Sequence, residues 1–316
     1  MPSLLAAVAG TLALLTAAPD SVRITAASNV RLRAAPSEIA DIVTTVPIGT
    51  SMSELETGGR DGDWVRLRAE DGRDGWVPIA LTRRVDAATR LAAIDRLIGE
   101  RLARRGDAFA ARAEVVDLVE RTRAEVTGDP ERAARFSLYW LRGVASTLET
   151  IPPSQAKRDP YVAWIDARKD ALVFDRSTGR WFVRRDAVLD RQTAFRATAA
   201  ADDLAWLAAM NGLPGACENF LPCAMRRRND LEGEYLRRMP NGTHAEEAVA
   251  RVGGAAVHWM SNESTTGGSI IFTPAKDCGE LIAALDPLRA AVATSGAPSR
   301  TNLVQTLDRV RSRCGR

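Results

Sequence analysis

The feature that most constrains this chain is a change of hydrophobic period near residue 86. Before it, Val22-Arg23-Ile24-Thr25 and Val30-Arg31-Leu32-Arg33 alternate apolar and polar residues, the pattern of half-buried strands. Trp64-Val65-Arg66-Leu67 and Gly75-Trp76-Val77-Pro78 supply two more, flanking a hairpin turn at Glu70-Asp71-Gly72-Arg73. Further turns fall at Ala35-Pro36-Ser37, Pro47-Ile48-Gly49, Gly58-Gly59 and Asp61-Gly62-Asp63. Five short strands in about sixty residues, with turns this close together, predict a small closed β-barrel over residues 21–84.

From Asp86 the spacing becomes helical. Leu91, Ile94, Ile98 and Leu102 recur at three- and four-residue steps, and a second helix carries Phe109, Val115, Val116 and Val119. Asp129-Pro130 opens a third, with Asp as the cap and Pro at the first helical position. Its apolar set is Phe136, Tyr139, Trp140, Val144 and Leu148, and it stops before Pro152-Pro153. These three predict a helical bundle over 86–151.

A second helical region is expected over 157–316, with one β-hairpin at 172–183 around Ser177-Thr178-Gly179. Its helices begin at Tyr161 and near Asp186, Asp202, Pro222 and Thr243, then cover Gly279 to Ala293 and Arg300 to Arg313. Thr243-His244-Ala245-Glu246 has the form of a capping box, and Gly253-Gly254 reads as a helix break. Gly267-Gly268 reads as a loop before Ile270-Ile271-Phe272. The fold class is therefore α+β: an N-terminal barrel followed by a mostly helical region.

Two resemblances accompany this reading. Asn29-Val30-Arg31, Pro36-Ser37, Gly49, Asp63-Trp64-Val65 and Gly75-Trp76-Val77 together resemble the bacterial SH3 domain, with Ala35 where that family has Gly. The resemblance implies an SH3-like barrel of the cell envelope, often found beside cell-wall hydrolases. Glu234 to Ala248 resembles the inter-helix corner of tetratricopeptide-like repeats in envelope proteins. Together with Leu213 to Cys223, it is similar to the tail of bacterial proteins that carry an N-terminal SH3 domain. No 34-residue period is sustained, so a single divergent helical hairpin is implied, and a well-capped helix pair explains the same residues.

Leu4 to Ala18 is an uncharged apolar run of 15 residues, followed closely by Pro19. It is short of the about 20 residues a membrane helix needs and suits a signal peptide over residues 1–18. The alternative is an N-terminal helix of a cytosolic protein. Export predicts a periplasmic or secreted protein with no stable membrane span after cleavage. The four cysteines agree with an oxidising compartment. Cys217, Cys223, Cys278 and Cys314 are expected to form two disulfides, though three pairings are possible. A metal site from Cys217, Cys223, His244 and His258 matches no common zinc spacing, so no metal is expected.

A chemical site is hard to find. The net charge of +3, from 43 basic and 40 acidic residues, argues against nucleic-acid binding. The densest basic run, Arg226-Arg227-Arg228, is diluted by Asp230, Glu232 and Glu234 and reads as a solvated helix face. Asp277-Cys278-Gly279-Glu280-Leu281 resembles the start of wall-cleaving cysteine peptidases. Both histidines, His244 and His258, precede the Cys, so it lacks the downstream His that such enzymes need. No nucleophile elbow, zincin helix or Walker loop is present, and no cofactor is expected. The carboxylate pairs Asp202-Asp203 and Glu246-Glu247 sit where a helix dipole favours acids. His258-Trp259 beside Asn262 reads as a partly buried structural cluster.

Trp64 and Trp76, on neighbouring strands, are the candidate ligand platform, although such residues most often fill a barrel core. The expected function is a non-enzymatic envelope protein. Its barrel would bind a cell-wall peptide or glycan, such as peptidoglycan, or an envelope protein, and its helices would act as a scaffold. The alternatives are a wall-modifying enzyme and a barrel that serves only as a packing module.

Overall fold

The computed structural model describes residues 22–215, 217, 219–261 and 272–315. The expected signal peptide, the expected Gly267-Gly268 loop, Ile270-Ile271 and Asn262 lie outside these residues. The chain divides into two compact units, one ending at Leu97 and one starting at Ile98.

The first unit is a seven-stranded antiparallel sheet: β1 (Val22–Thr25), β2 (Val30–Arg33), β3 (Ile42–Val46), β4 (Ser51–Gly58), β5 (Trp64–Arg68), β6 (Asp74–Pro78) and β7 (Thr82–Val85). The order is β3-β2-β6-β5-β4-β1-β7. Val30, Leu32, Val46, Met52, Val65, Leu67 and Val77 share one interior, so strands from opposite parts of that order curl over a common core. Two strands exceed the expected five. β4 is polar through Ser53, Glu54 and Glu56, and ladders to β5 and β1 hold it extended where no alternation signals a strand.

Thr25 ties β1 to the turn after β3. Its hydroxyl donates to the Pro47 carbonyl at 2.7 Å and accepts from the Thr50 N–H at 2.9 Å. Arg23, on β1, reaches Glu54 on β4 at 2.9 Å, and Arg84 on β7 meets the same carboxylate. Burial alone would raise the Glu54 carboxyl, but the hydrogen bonds and charges of the two guanidiniums outweigh it and hold the group below its ordinary value.

The second unit takes in the end of α1 (Arg90–Leu102), then α2 (Phe109–Arg123), α3 (Pro130–Glu149) and α4 (Tyr161–Asp166). Asp129 caps α3 as expected, accepting from the Arg132 N–H at 3.0 Å. Phe136, Trp140, Val144 and Leu148 are its buried stripe. The hairpin follows, β8 (Leu172–Asp175) and β9 (Arg180–Val183). Hydrogen bonds from the Ser177 hydroxyl, its N–H and the Thr178 hydroxyl close the turn onto Asp175. Ser177 is the main cause of an Asp175 carboxyl lowered to about 2.

Next come α5 (Arg185–Ala194), α6 (Ala201–Met210), α7 (Leu221–Arg228), a π-helical turn (Asn229–Gly233), α8 (Glu234–Arg238), α9 (Ala245–Ser261), α10 (Pro274–Thr294) and α11 (Arg300–Arg311). α10 starts before the expected Gly279 because Pro274 occupies its first position, where a missing N–H costs nothing. α9 runs unbroken through Gly253-Gly254, contrary to the expected break. Val249, Val252 and Ala256 pack around the pair into the same core as Leu303 and Leu307 of α11, and that packing outweighs the low helix propensity of glycine. Leu221, Met225, Leu236, Leu281, Leu285 and Leu288 complete this core.

Candidate functional site

In the barrel, strand alternation sorts the side chains. Val65, Leu67 and Val77 enter the interior, so Trp64, Arg66 and Trp76 stand on the opposite face. Trp64 is nonetheless buried, at 6% exposed, in keeping with the usual role of such residues, whereas Trp76 is half-buried and lies outside the buried core. Arg33 of β2 and Arg66 of β5 are the register partners of Trp76.

Around the Trp76 indole is a charged frame. Arg66 donates to Asp74 through Nε at 3.2 Å and Nη2 at 3.0 Å, and to Glu56 at 3.1 Å. Arg68 adds a third contact to Asp74 at 3.3 Å. Hydrogen bonds from Arg66 and Arg68 hold the Asp74 carboxyl below its ordinary value. An aromatic plane with guanidinium and carboxylate groups beside it can stack on a sugar or peptide while bonding to its polar groups.

In the helical unit the four cysteines form two disulfides, Cys217–Cys223 and Cys278–Cys314. Cys278 is therefore no nucleophile, and the cysteines are no metal ligands. The described residues contain no cluster of side chains that could hold a metal ion. His258 is exposed and meets Trp259 edge-on, contrary to the expected partly buried cluster. Arg226, Arg227 and Arg228 each have a specific partner: Glu280, the carbonyls of 213–215, and Glu232, respectively. Arg226 keeps the expected solvated position, with its side chain 53% exposed, while Arg227 and Arg228 are partly buried.

A polar cluster that the sequence hid brings α6 to the corner between α8 and α9. Asp202 accepts from the Tyr235 hydroxyl at 2.7 Å and from the Thr243 N–H and hydroxyl at 2.7 and 2.5 Å. Burial would raise this carboxyl, but those hydrogen bonds outweigh it and the group is held low; burial and Asp202 together push the Tyr235 hydroxyl up. His244 stacks on Trp206 at 4.9 Å and places Nε2 3.2 Å from Asp203. The expected capping box does not form. Thr243 is taken by Asp202, while Glu246 accepts from the Ser299 N–H at 3.2 Å. A side chain at Gly242 would start within 2.3 Å of both the Tyr235 hydroxyl and Asp202, so the corner requires glycine. Such internal pairing makes the cluster a brace. The tie between Asp202 and Thr243 spans 41 residues, and no local pattern could have announced it.

The same unit contains a cleft of about 310 Å³ between α3, β9 and α6. Leu148, Trp181, Phe182, Leu207 and Met210 supply an apolar wall, with Glu149, Arg180 and Asn211 among its polar groups. The lining comes from three separated stretches of chain, and sequence reasoning missed it entirely.

Among curated proteins and solved structures, none matches this chain. Residues 28–81 match the family model of the bacterial SH3 domain, so the barrel that presents Trp76 carries that domain.

Proposed function

We propose that this is an exported, non-enzymatic envelope protein whose SH3 domain binds a cell-wall peptide or glycan at the Trp76 face. The helical unit serves as its scaffold, in keeping with the tetratricopeptide-like resemblance of Glu234 to Ala248. The observation that carries the reading is the half-exposed Trp76 between Arg33 and Arg66, inside the segment that matches the family. A bacterial SH3 domain suggests a wall-binding module. Two disulfides fit an oxidising compartment outside the cytoplasm. Among the described residues, no helix is long and apolar enough to cross a membrane.

The test is co-sedimentation of the full chain with purified cell-wall sacculi. Retention of the wild type and its loss in Trp76→Ala is the expected result. Equal retention of both proteins, or none of either, overturns the reading. A cleared band on a cell-wall zymogram would instead establish a wall-modifying enzyme.

A further inference from the structure

The cleft between α3, β9 and α6 has a property that its apolar lining alone does not convey: one wall is a free strand edge. β8 and β9 form a two-stranded sheet. The Arg184 N–H donates to the Ala171 carbonyl at 2.7 Å, which sets the alternation of the ladder. It follows that the pairs Leu172/Val183 and Phe174/Trp181 are those whose backbone groups point away from the partner strand.

On β9 these outward groups are the N–H and C=O of Trp181 and of Val183, and they face the cleft side. Asn211, from the cleft wall, confirms the direction: its Nδ2 donates to the Val183 carbonyl at 2.6 Å, as a neighbouring strand would. Both groups of Trp181 and the N–H of Val183 have no hydrogen-bond partner among the described residues. Two side chains of opposite charge, Glu149 and Arg180, line the same cavity and have no ion pair there either.

We propose that this cleft binds a short extended peptide carrying one apolar side chain and charges of both signs. The peptide would run beside β9 and exchange both backbone hydrogen bonds with Trp181, next to the position Asn211 holds against Val183, with its apolar side chain among Leu148, Leu207 and Met210. Its basic group would meet Glu149 and its acidic group Arg180. Backbone pairing supplies affinity in this mode and the pocket supplies selectivity. The volume of about 310 Å³ lies at the lower end of the range of small-ligand sites, about 300–1,000 Å³. This cleft belongs to the second unit and the Trp76 face to the first, and the proposal does not rest on the wall-binding reading.

The test is fluorescence anisotropy of a labelled pentapeptide, Arg-Ser-Leu-Ser-Asp, titrated with the full chain. Saturable binding is expected. An analogue N-methylated along its backbone, with the same side chains but no backbone N–H donors, should bind at least tenfold more weakly. Met210→Trp, at a residue 44% exposed, should narrow the cleft without disturbing the core and weaken binding at least tenfold. Glu149→Gln and Arg180→Gln should each weaken it several-fold. Equal affinity of the methylated analogue, unchanged affinity in Met210→Trp, or no saturable binding overturns the proposal.

Discussion

The indole of Trp76 occupies the space in which a side chain at Gly58 would begin, with its nearest ring atom 2.5 Å from the Cβ position. This contact crosses β5 from β6 to β4 and explains why Trp76 is half-buried although it stands on the outer face. Gly58→Ala should therefore push the ring off its seat. The expected cost is about 1–3 kcal/mol of stability, as for other overpacked sites. Thermal unfolding measures that cost, and sacculus co-sedimentation should show weakened retention.

Glu54 joins Arg23 and Arg84 across three strands, with its own side chain 8% exposed. Glu54→Gln leaves the Arg23 guanidinium partly buried without a counter-ion. Losing one partner of a fully buried pair costs about 3–5 kcal/mol; the exposed Arg84 places this variant at the low end. The Glu54 carboxyl is lowered in the folded chain, so its contribution is present above the unfolded value and lost as pH falls through the folded one. Denaturant midpoints measured downward from pH 5 should fall in both proteins, since Asp74, Asp175 and Asp202 are also held low, and the gap between wild type and Glu54→Gln should narrow.

Tyr235→Phe removes a donor from Asp202 and leaves the carboxylate short of one partner in a partly buried site. A destabilisation of about 1–3 kcal/mol is expected. The Asp202 carboxyl is also held low, so the wild type loses the support of this brace in acid, below the ordinary range of an aspartate. The gap between wild-type and variant stability should therefore shrink as pH falls, which a pH series of urea titrations would detect.

The two disulfides should contribute unequally. Cys278–Cys314 closes a sequence separation of 36 and Cys217–Cys223 one of 6. On the chain-entropy model these correspond to about 4 and about 2.4 kcal/mol. The Cys278→Ser/Cys314→Ser double variant should thus lower the denaturation midpoint more than Cys217→Ser/Cys223→Ser does. Free-thiol counting on the unfolded, unreduced wild type should find none.

The legible parts of this protein are those set by neighbours in sequence. Gly72 at its turn, the alternating Val30 to Arg33 and the Asp129-Pro130 cap each act within a few residues, and the structure realises them as expected. β4 escaped notice because its strand state depends on ladders to β1 and β5. The helix break expected at Gly253-Gly254 failed for a related reason: propensity is a local term, and burial against α11 exceeds it.

By itself the sequence determined the α+β class, the SH3-like pattern of turns and tryptophans, and the pairing of every cysteine with some other. Tertiary structure decided which cysteine meets which, that Trp64 is buried while Trp76 is half-exposed, and that Thr243 bonds Asp202 and not its own helix. It also assembled the cleft from residues 145–149, 180–183 and 207–212. The physical reason is range. Turn and period preferences are energies of adjacent residues, whereas exposure, long-range hydrogen bonds and cavities depend on which distant segments pack together.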